Sequence, residues 1–307
     1  MNRQRRRRVS GTSRPAAPRT AVVVVSHQTR AQALTCLDTL AAAGADEVVV
    51  VDTGSTDGTA AAVRAAHPDV RVLAVDNLGF GGGANLGVAV TRAPVVVVCN
   101  ADVRFVPGSV AELAARLEEH HDVAAVGPAV TYPDGRPQAS ARRLPAPATA
   151  IGHAVLSRLW SGNPWTVRYR AGDTDPARPR EADWLSGCCL ALRREAFDAV
   201  GGFDPGYFLY VEDVDLGVRL RAGGWRLRYE PSARVVHEVG ASTGTRRRAW
   251  SLTTHARSLD RFYGRHLATT PARRLARPFL RLGLAGWVGV TLLLERATGR
   301  GHSTTGE

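Results

Sequence analysis

From residue 21 onward, short Val-rich runs alternate with longer Ala-rich stretches. Ala21–Ser26, Glu47–Asp52, Val70–Asp76 and Pro94–Asn100 are nearly continuous β-branched or apolar runs, the pattern of strands covered on both faces. Between them, Arg30–Ala43 closing on Gly44, Thr56–Ala66 ahead of Pro68, and Ala84–Thr91 carry helix-forming residues. The alternation predicts a βαβαβαβ unit with a parallel sheet, extended by a helix over Ser109–His120 and a fifth strand over Val123–Gly127. Ligands of such a sheet gather at the carboxyl ends of its strands.

After Pro128 the rhythm changes. Residues 131–182 are rich in Pro, Arg, Gly and Trp without a clear period, and read as an irregular, substrate-facing or poorly ordered insertion. Regular patterning returns with a strand over Trp184–Leu192, helices over Arg193–Val200 and Val214–Ala222, and a strand over Trp225–Glu230 that should stop at Pro231. Two further helices are expected over residues 250–263 and 272–296. No internal repeat is visible.

Composition sharpens this picture in two places. The 307 residues are 44% hydrophobic and 22% charged, enough apolar material for a substantial core, which excludes a wholly disordered or fibrous chain. The net charge is +12, and every one of the 40 basic residues is Arg. Residues 1–19 hold seven Arg and no acid, residues 246–307 hold twelve Arg against Asp260, Glu295 and Glu307, and the middle carries about −4. The basic character therefore belongs to the ends, as a solvated tail or a contact for anionic lipid or nucleic acid. Cys36, Cys99, Cys188 and Cys189 form no CxxC pair, so neither a disulfide framework nor a zinc site is expected, and a reducing cytoplasm is the simple reading. The Arg-rich start leads into only five apolar residues, too few for a signal-peptide core. The longest apolar stretch, Leu282 to Leu294, has 13 residues and is too short to cross a bilayer as a helix.

Candidate chemistry sits at predicted strand ends. Asp52 closes the second strand, placed to accept hydrogen bonds from a base or sugar, while Thr56 or Asp57 in the same turn reads equally well as a helix cap. The stretch Asn77 to Gly87, with Gly79 and Asn85, supplies close backbone approach and a helix N-terminus to a phosphate, or else a flexible turn. Asn100 and Asp102 end the fourth strand and could hold Mg²⁺ or Mn²⁺ through oxygen, or cap a turn. Glu212, Asp213 and Asp215 crowd the start of a helix: the helix dipole favours them, and their proximity raises one another's pKa, which suits a general base. His237 stands at another predicted strand end.

In this order the pieces resemble a family-2 glycosyltransferase with the GT-A fold, over roughly residues 20–245: Asp52, the Asn77–Gly87 loop, an Asn-x-Asp in place of Asp-x-Asp (Asn100, Asp102), Gly187 with Arg193-Arg194, Gly201 to Asp204, Glu212 to Leu216, and a late His237. Ser140 to Arg143, Asn163 to Arg170, Trp184 to Cys188, Gly201 to Arg219 and Pro231 to His237 look in particular like the actinobacterial rhamnosyltransferases that start the cell-wall arabinogalactan linker. Two departures stand out: Ser26-His27-Gln28 where that group has Tyr-Asn, and one carboxylate rather than two in the metal motif.

The resemblance implies an α/β GT-A fold, a mostly parallel Rossmann-like sheet flanked by helices, with an Arg-rich tail (1–19), a transferase domain (20–245, nucleotide half about 20–128 and acceptor half about 129–245) and a helical C-terminal extension (246–307). It implies inverting, metal-dependent transfer of L-rhamnose from dTDP-rhamnose to polyprenyl-diphosphate-linked GlcNAc. Ser26, Asp52, Asn77, Gly79, Asn85 and Asn100 would hold the nucleotide, Asp102 and His237 would bind Mg²⁺ or Mn²⁺, and Asp213 would act as base with Glu212 tuning it or binding the acceptor. Trp184 would stack on the acceptor sugar or pack in the core, and Arg142 and Arg143 would meet a diphosphate or lie in a solvated loop. The basic flank Arg273 to Arg281, Trp287 and the apolar run after it suit an in-plane membrane contact on the cytoplasmic face, with a core-covering helix as the alternative. Other readings are a family-2 enzyme with another donor or acceptor, an inactive scaffold, and a nonspecific nucleic-acid binder. The last is disfavoured, since residues 1–19 lack interleaved aromatics and no sequence-specific contact is expected.

Overall fold

A computed structural model describes residues 19–144, 162–165, 167, 175–238 and 245–297. The predicted Arg-rich tail and much of the 131–182 insertion lie outside these residues. Four strands, β1 (Thr20–Ser26), β2 (Glu47–Thr53), β3 (Arg71–Val75) and β4 (Val95–Asn100), pair in parallel in the order β3-β2-β1-β4. The sheet continues through β11 (Cys189–Arg193), β6 (Val123–Thr131), β12 (Arg226–His237) and the short edge strand β5 (Val103–Phe105). β11 runs antiparallel to both β4 and β6, whereas β6 and β12 are parallel, giving the mixed sheet. β7 (Pro137–Gln138) and β9 (Arg180–Ala182) extend it at β6 and β12, and β8 (Ala141–Arg142) pairs with β10 (Trp184–Leu185) as a separate ribbon.

The continuous Val runs are explained by helices on both faces. Val22, Val24 and Val50 pack with Leu37 and Leu40 of α1 (Arg30–Leu40) and Leu113 and Leu117 of α4 (Ser109–Glu119). The alternate residues Val23, Val25, Val49 and Val51 pack with Phe80, Ala84 and Val88 of α3 (Gly79–Ala89), and with Phe203, Leu216 and Leu220. α2 (Thr59–Ala66) completes the crossovers, and α5 (Arg194–Ala199) and α6 (Glu212–Ala222) flank the second half.

Three elements differ from the sequence reading. α3 begins at Gly79 rather than Ala84, so the glycine run is helix and not loop. A Cβ on Gly87 would come within 2.2 Å of Val23, so only glycine lets this helix lie so close on the sheet. The predicted Trp184–Leu192 strand breaks into β10 and β11 around Ser186–Cys188. β12 runs on through Pro231 to His237, because the register shift between Glu230 and Arg234 leaves the proline in a bulge.

After the transferase half come α7 (Thr245–Phe262), a π-helical turn (Tyr263–Leu267) and α8 (Pro271–Ala297). Arg277 and Arg281 pair with Asp260, and Arg248 pairs with Glu295, so the two helices form an antiparallel hairpin. α8 is longer than its apolar run suggested; by length and composition its Pro271–Glu295 stretch is long and apolar enough to cross a membrane.

Candidate active site

Strand register gathers the predicted residues at one edge of the sheet. Ser26 pairs with Asp52 and Val25 with Asn100, which places the ends of β1, β2 and β4 side by side. Ser26 and Asp52 are both buried. The Ser26 carbonyl accepts from Thr53 Oγ1 at 3.0 Å, and Asp52 accepts from Ser55 Oγ. Asp57 instead holds its turn, accepting from the amides of Thr59 and Arg30, which settles it as a turn residue. At the Ser26-His27-Gln28 departure, His27 Nδ1 donates to the Thr53 carbonyl at 2.7 Å, and Asn77 Nδ2 lies 3.4 Å from the same ring.

Two residues assigned to the nucleotide do other work. Asn85 accepts from the Phe203 amide at 2.9 Å and donates to the Phe203 carbonyl at 2.8 Å, so its side chain is spent clamping the Gly-Gly-Phe-Asp turn. Gly79 (φ +73°) lies against the Phe208 backbone, where a Cβ would sit 1.8 Å from the carbonyl oxygen. Both shape the loop leading to Glu212 rather than facing the strand ends. Arg193 and Arg194 likewise cap carbonyls of the core, at Val123 and His120 and at Ala93 and Val88.

A second cluster forms where the turn between β4 and β5 meets the end of β12. His237 Nε2 is 3.1 Å from Asp102 Oδ1 and 3.5 Å from Asn100 Nδ2, while Nδ1 is 3.0 Å from Gln138 Oε1. Asp102 Oδ1 is buried without a hydrogen-bond partner among the described residues. Such a stranded carboxylate oxygen beside an imidazole nitrogen fits a divalent cation. Among the described residues no group of three or more His, Cys, Asp or Glu side chains forms a metal cluster, so the protein would offer two ligands and leave the rest to substrate and water.

The break between β10 and β11 faces the start of α6. The Gly187 amide donates to Asp213 Oδ2 at 2.9 Å and the Val214 amide donates to Oδ1 at 2.8 Å, which fixes the carboxylate. Burial raises its pKa, opposed by these amides and by the Arg142 charge. Glu212 is buried with Oε2 unpartnered among the described residues, and burial together with Asp213 pushes it up to about 8. Cys188 ties the two clusters together: burial pushes its thiol up to about 12, with the charges of Asp213 and Asp102 both adding to the shift. Asp215, the third acid, is turned away and takes no part in this cluster.

Arg142 lies over the half-buried Trp184 ring, 5.4 Å from its centroid, and the two are register partners of the small ribbon. The Cα and Cβ of Trp184 also pack against Gly217 of α6. Arg143 points elsewhere: just past the end of β8 it is exposed, lining a groove with Glu181, Asp183, Arg221 and Arg226. Sequence reasoning missed Gln138, which lies 99 residues from the histidine it touches and carries no local signal.

Residues 21–201 match the model of Glycosyl transferase family 2. The chain belongs to that family. The transferase is 42% identical over 223 residues, 69% of its own length and 72% of the relative's, to the N-acetylglucosaminyl-diphospho-decaprenol L-rhamnosyltransferase of Mycobacterium tuberculosis. Over a shorter stretch of 55 residues, 18% of this chain and 21% of the relative, it is 46% identical to rhamnosyltransferase WbbL of Escherichia coli. Its fold is shared by a mannosyltransferase of Pyrobaculum calidifontis solved with GDP-Man and Mn²⁺ (TM-score 0.56, 19% identity, 95% of this chain and 77% of that one). It is shared also by GalNAc-T7 with UDP, GalNAc and Mn²⁺ (TM-score 0.54, 15% identity, 92% and 58%). These are GT-A glycosyltransferases, which confirms the fold class that the resemblance implied.

Proposed function

We propose that the transferase moves L-rhamnose, with inversion, from dTDP-rhamnose to polyprenyl-diphosphate-linked GlcNAc. The observation that carries the proposal is the fixed Asp213 carboxylate beside the Asp102–His237 pair, in a chain 42% identical to a rhamnosyltransferase named for that acceptor. Ser26 and Asp52 would hold the nucleoside at the strand ends, with Asn77 and Asn100 at its rim. Asp102 and His237 would hold Mg²⁺ or Mn²⁺, which when bound neutralises charge on the leaving diphosphate.

Asp213 takes the proton from the acceptor hydroxyl. The oxygen attacks the anomeric carbon in line as the bond to the diphosphate oxygen breaks, and the electron pair leaves with the nucleotide. The Gly187 and Val214 amides hold Asp213 in one orientation and favour its ionised form, while burial raises its basicity. Arg142, on the Trp184 ring, is placed to meet the acceptor diphosphate, and Trp184 to flank its sugar.

The lipid acceptor gives α8 its purpose. Leu275, Phe279 and Leu282 are 70–75% exposed on one face, with Leu293 in line with them, while the other face is spent on α7 through Arg277, Arg281 and Glu295. Spanning the bilayer would strip those ion pairs, whereas lying in the interface buries the apolar face and keeps them. The enzyme thus works at the cytoplasmic membrane surface as a peripheral protein.

The test is transfer of radiolabelled rhamnose from dTDP-rhamnose to a short-chain polyprenyl-diphosphate-GlcNAc, with and without Mg²⁺ or Mn²⁺, beside a panel of other nucleotide sugars. Metal-dependent product that disappears in Asp213→Asn, with dTDP binding retained, supports the reading. Preferred transfer from another nucleotide sugar overturns the donor assignment, and turnover retained by Asp213→Asn removes it as base.

A further inference from the structure

We propose that Gln138 is a positioning residue for the cation site: it holds the His237 proton on Nδ1 so that the Nε2 lone pair stays open for the metal. This rests on the assignment of Asp102 and His237 as metal ligands. Gln138 belongs to the small edge strand β7 and pairs with Val130 of β6, whose other neighbour is Val235 of β12. His237 lies two residues beyond Val235, hence on the same face, and Gln138 reaches across β6 to it.

Two observations agree on the tautomer. The carboxamide oxygen of Gln138 accepts only, so at 3.0 Å from Nδ1 it requires the proton there. The Asn100 Nδ2 group only donates, so at 3.5 Å from Nε2 it faces a lone pair.

Without an acceptor at Nδ1, the imidazole proton can sit on Nε2, 3.1 Å from Asp102 Oδ1, and occupy the lone pair that a metal needs. A metal would then have to displace that proton before binding. Gln138 therefore keeps an unfavourable lone-pair-to-carboxylate contact in place, which a cation relieves. Such supporting partners of metal-bound histidines are typically worth about 10- to 100-fold in affinity.

The experiment measures Mn²⁺ binding to the full-length protein in the presence of dTDP, by electron paramagnetic resonance of free Mn²⁺, for wild type, Gln138→Leu and Gln138→Glu. Gln138→Leu should weaken Mn²⁺ by about 10- to 100-fold, while Gln138→Glu, which keeps an acceptor, should stay within about threefold of wild type. Long-range ¹H–¹⁵N spectra of the metal-free protein give a second readout: His237 protonated on Nδ1 in wild type and on Nε2 in Gln138→Leu. Equal Mn²⁺ affinity in wild type and Gln138→Leu overturns the role of Gln138 alone. Wild type that binds no Mn²⁺ overturns the metal-site assignment and this inference with it. Should Gln138→Leu fail to fold, a wild-type His237 protonated on Nε2 still refutes the proposal, and one protonated on Nδ1 with Gln138→Glu binding normally supports it.

Discussion

Gly79→Ala tests whether the glycine run shapes the catalytic loop. The added Cβ would lie 1.8 Å from the Phe208 carbonyl oxygen, and ordinary contact begins at 3.4 Å, so the two backbones must part by about 1.6 Å. That movement breaks the hydrogen bond from the Phe80 amide to the Phe208 carbonyl, 3.2 Å long. The loop has little slack to absorb it, because Tyr210 and Val211 already hold left-handed φ values of 68° and 69° just ahead of Glu212 and Asp213. Forced overpacking costs about 1–3 kcal/mol and the left-handed alanine about 1 kcal/mol more. Together these correspond to a melting temperature lower by roughly 3–6 °C in a chain of this size. A base displaced by about 1 Å loses on the order of 10²-fold in turnover. Gly135→Ala is the control: its φ is +82° but a Cβ would meet nothing within 4 Å, so it carries only the backbone cost and leaves turnover unchanged. Thermal unfolding and sugar-transfer kinetics on both variants decide the matter. Gly79→Ala with turnover within about threefold of wild type, or melting no lower than Gly135→Ala, would refute the reasoning.

Asp215 is fully buried and accepts from Arg219 and His266 at 2.6 Å each and from Tyr207 at 3.3 Å, so Asp215→Ala strands these partners and should cost about 3–5 kcal/mol in denaturant unfolding. A loss below about 1 kcal/mol would show the network to be dispensable. Glu212, pushed up to about 8 from 4.5, is bound to more protons folded than unfolded between those values, so its contribution to stability falls as pH rises through that window. Glu212→Gln should therefore gain stability relative to wild type between about pH 5 and 8.5, and parallel pH profiles would exclude the raised carboxyl. Replacing Leu275, Phe279 and Leu282 together by Gln should abolish cosedimentation with anionic vesicles while leaving the melting temperature within a few degrees, since all three are 70–75% exposed. Undiminished vesicle binding would move the membrane contact off α8.

The strand framework was legible because an unbroken β-branched run admits one arrangement, a strand covered on both faces, and the ends of those runs bring Ser26, Asp52 and Asn100 side by side at the carboxyl edge of the sheet. α3 was misread for a reason of the opposite kind. Glycine disfavours helix locally, yet Gly83 and Gly87 have Thr53, Val25 and Val23 side chains within 2.2–3.0 Å of where a Cβ would be, so close packing on the sheet overrides propensity. Pro231 was read as a strand stop, but a bulge accommodates it and carries the chain on to His237. Asn85 looked like a ligand group because its partner, Phe203, is 118 residues away. Gln138 was invisible for the same reason: nothing near it in the chain indicates that β7 will fold against the end of β12.

Three acids within four residues at the start of α6 would repel one another in water, and the fold answers each differently. Asp213 receives two backbone amides and the field of Arg142, which suits an ionised base. Glu212 has no partner for Oε2 among the described residues, and burial beside Asp213 raises its pKa to about 8. Asp215 is paired with Arg219 from its own helix and held by His266, with Arg265 beside it, both from the π-helical turn between α7 and α8. The same turn and helix hold Asp204 through Arg261 and Arg265, and α7 holds the loop itself through Ser258 on the Leu209 carbonyl and Ser251 on Tyr210. His255 then stacks between Tyr210 and Trp287 of α8. The hairpin with the exposed apolar face is therefore the support of the loop that delivers Asp213. On the proposed reading, residues that would bring the enzyme to a surface and residues that would aim its base belong to one packed unit, which suits a hydroxyl carried on a lipid-anchored sugar.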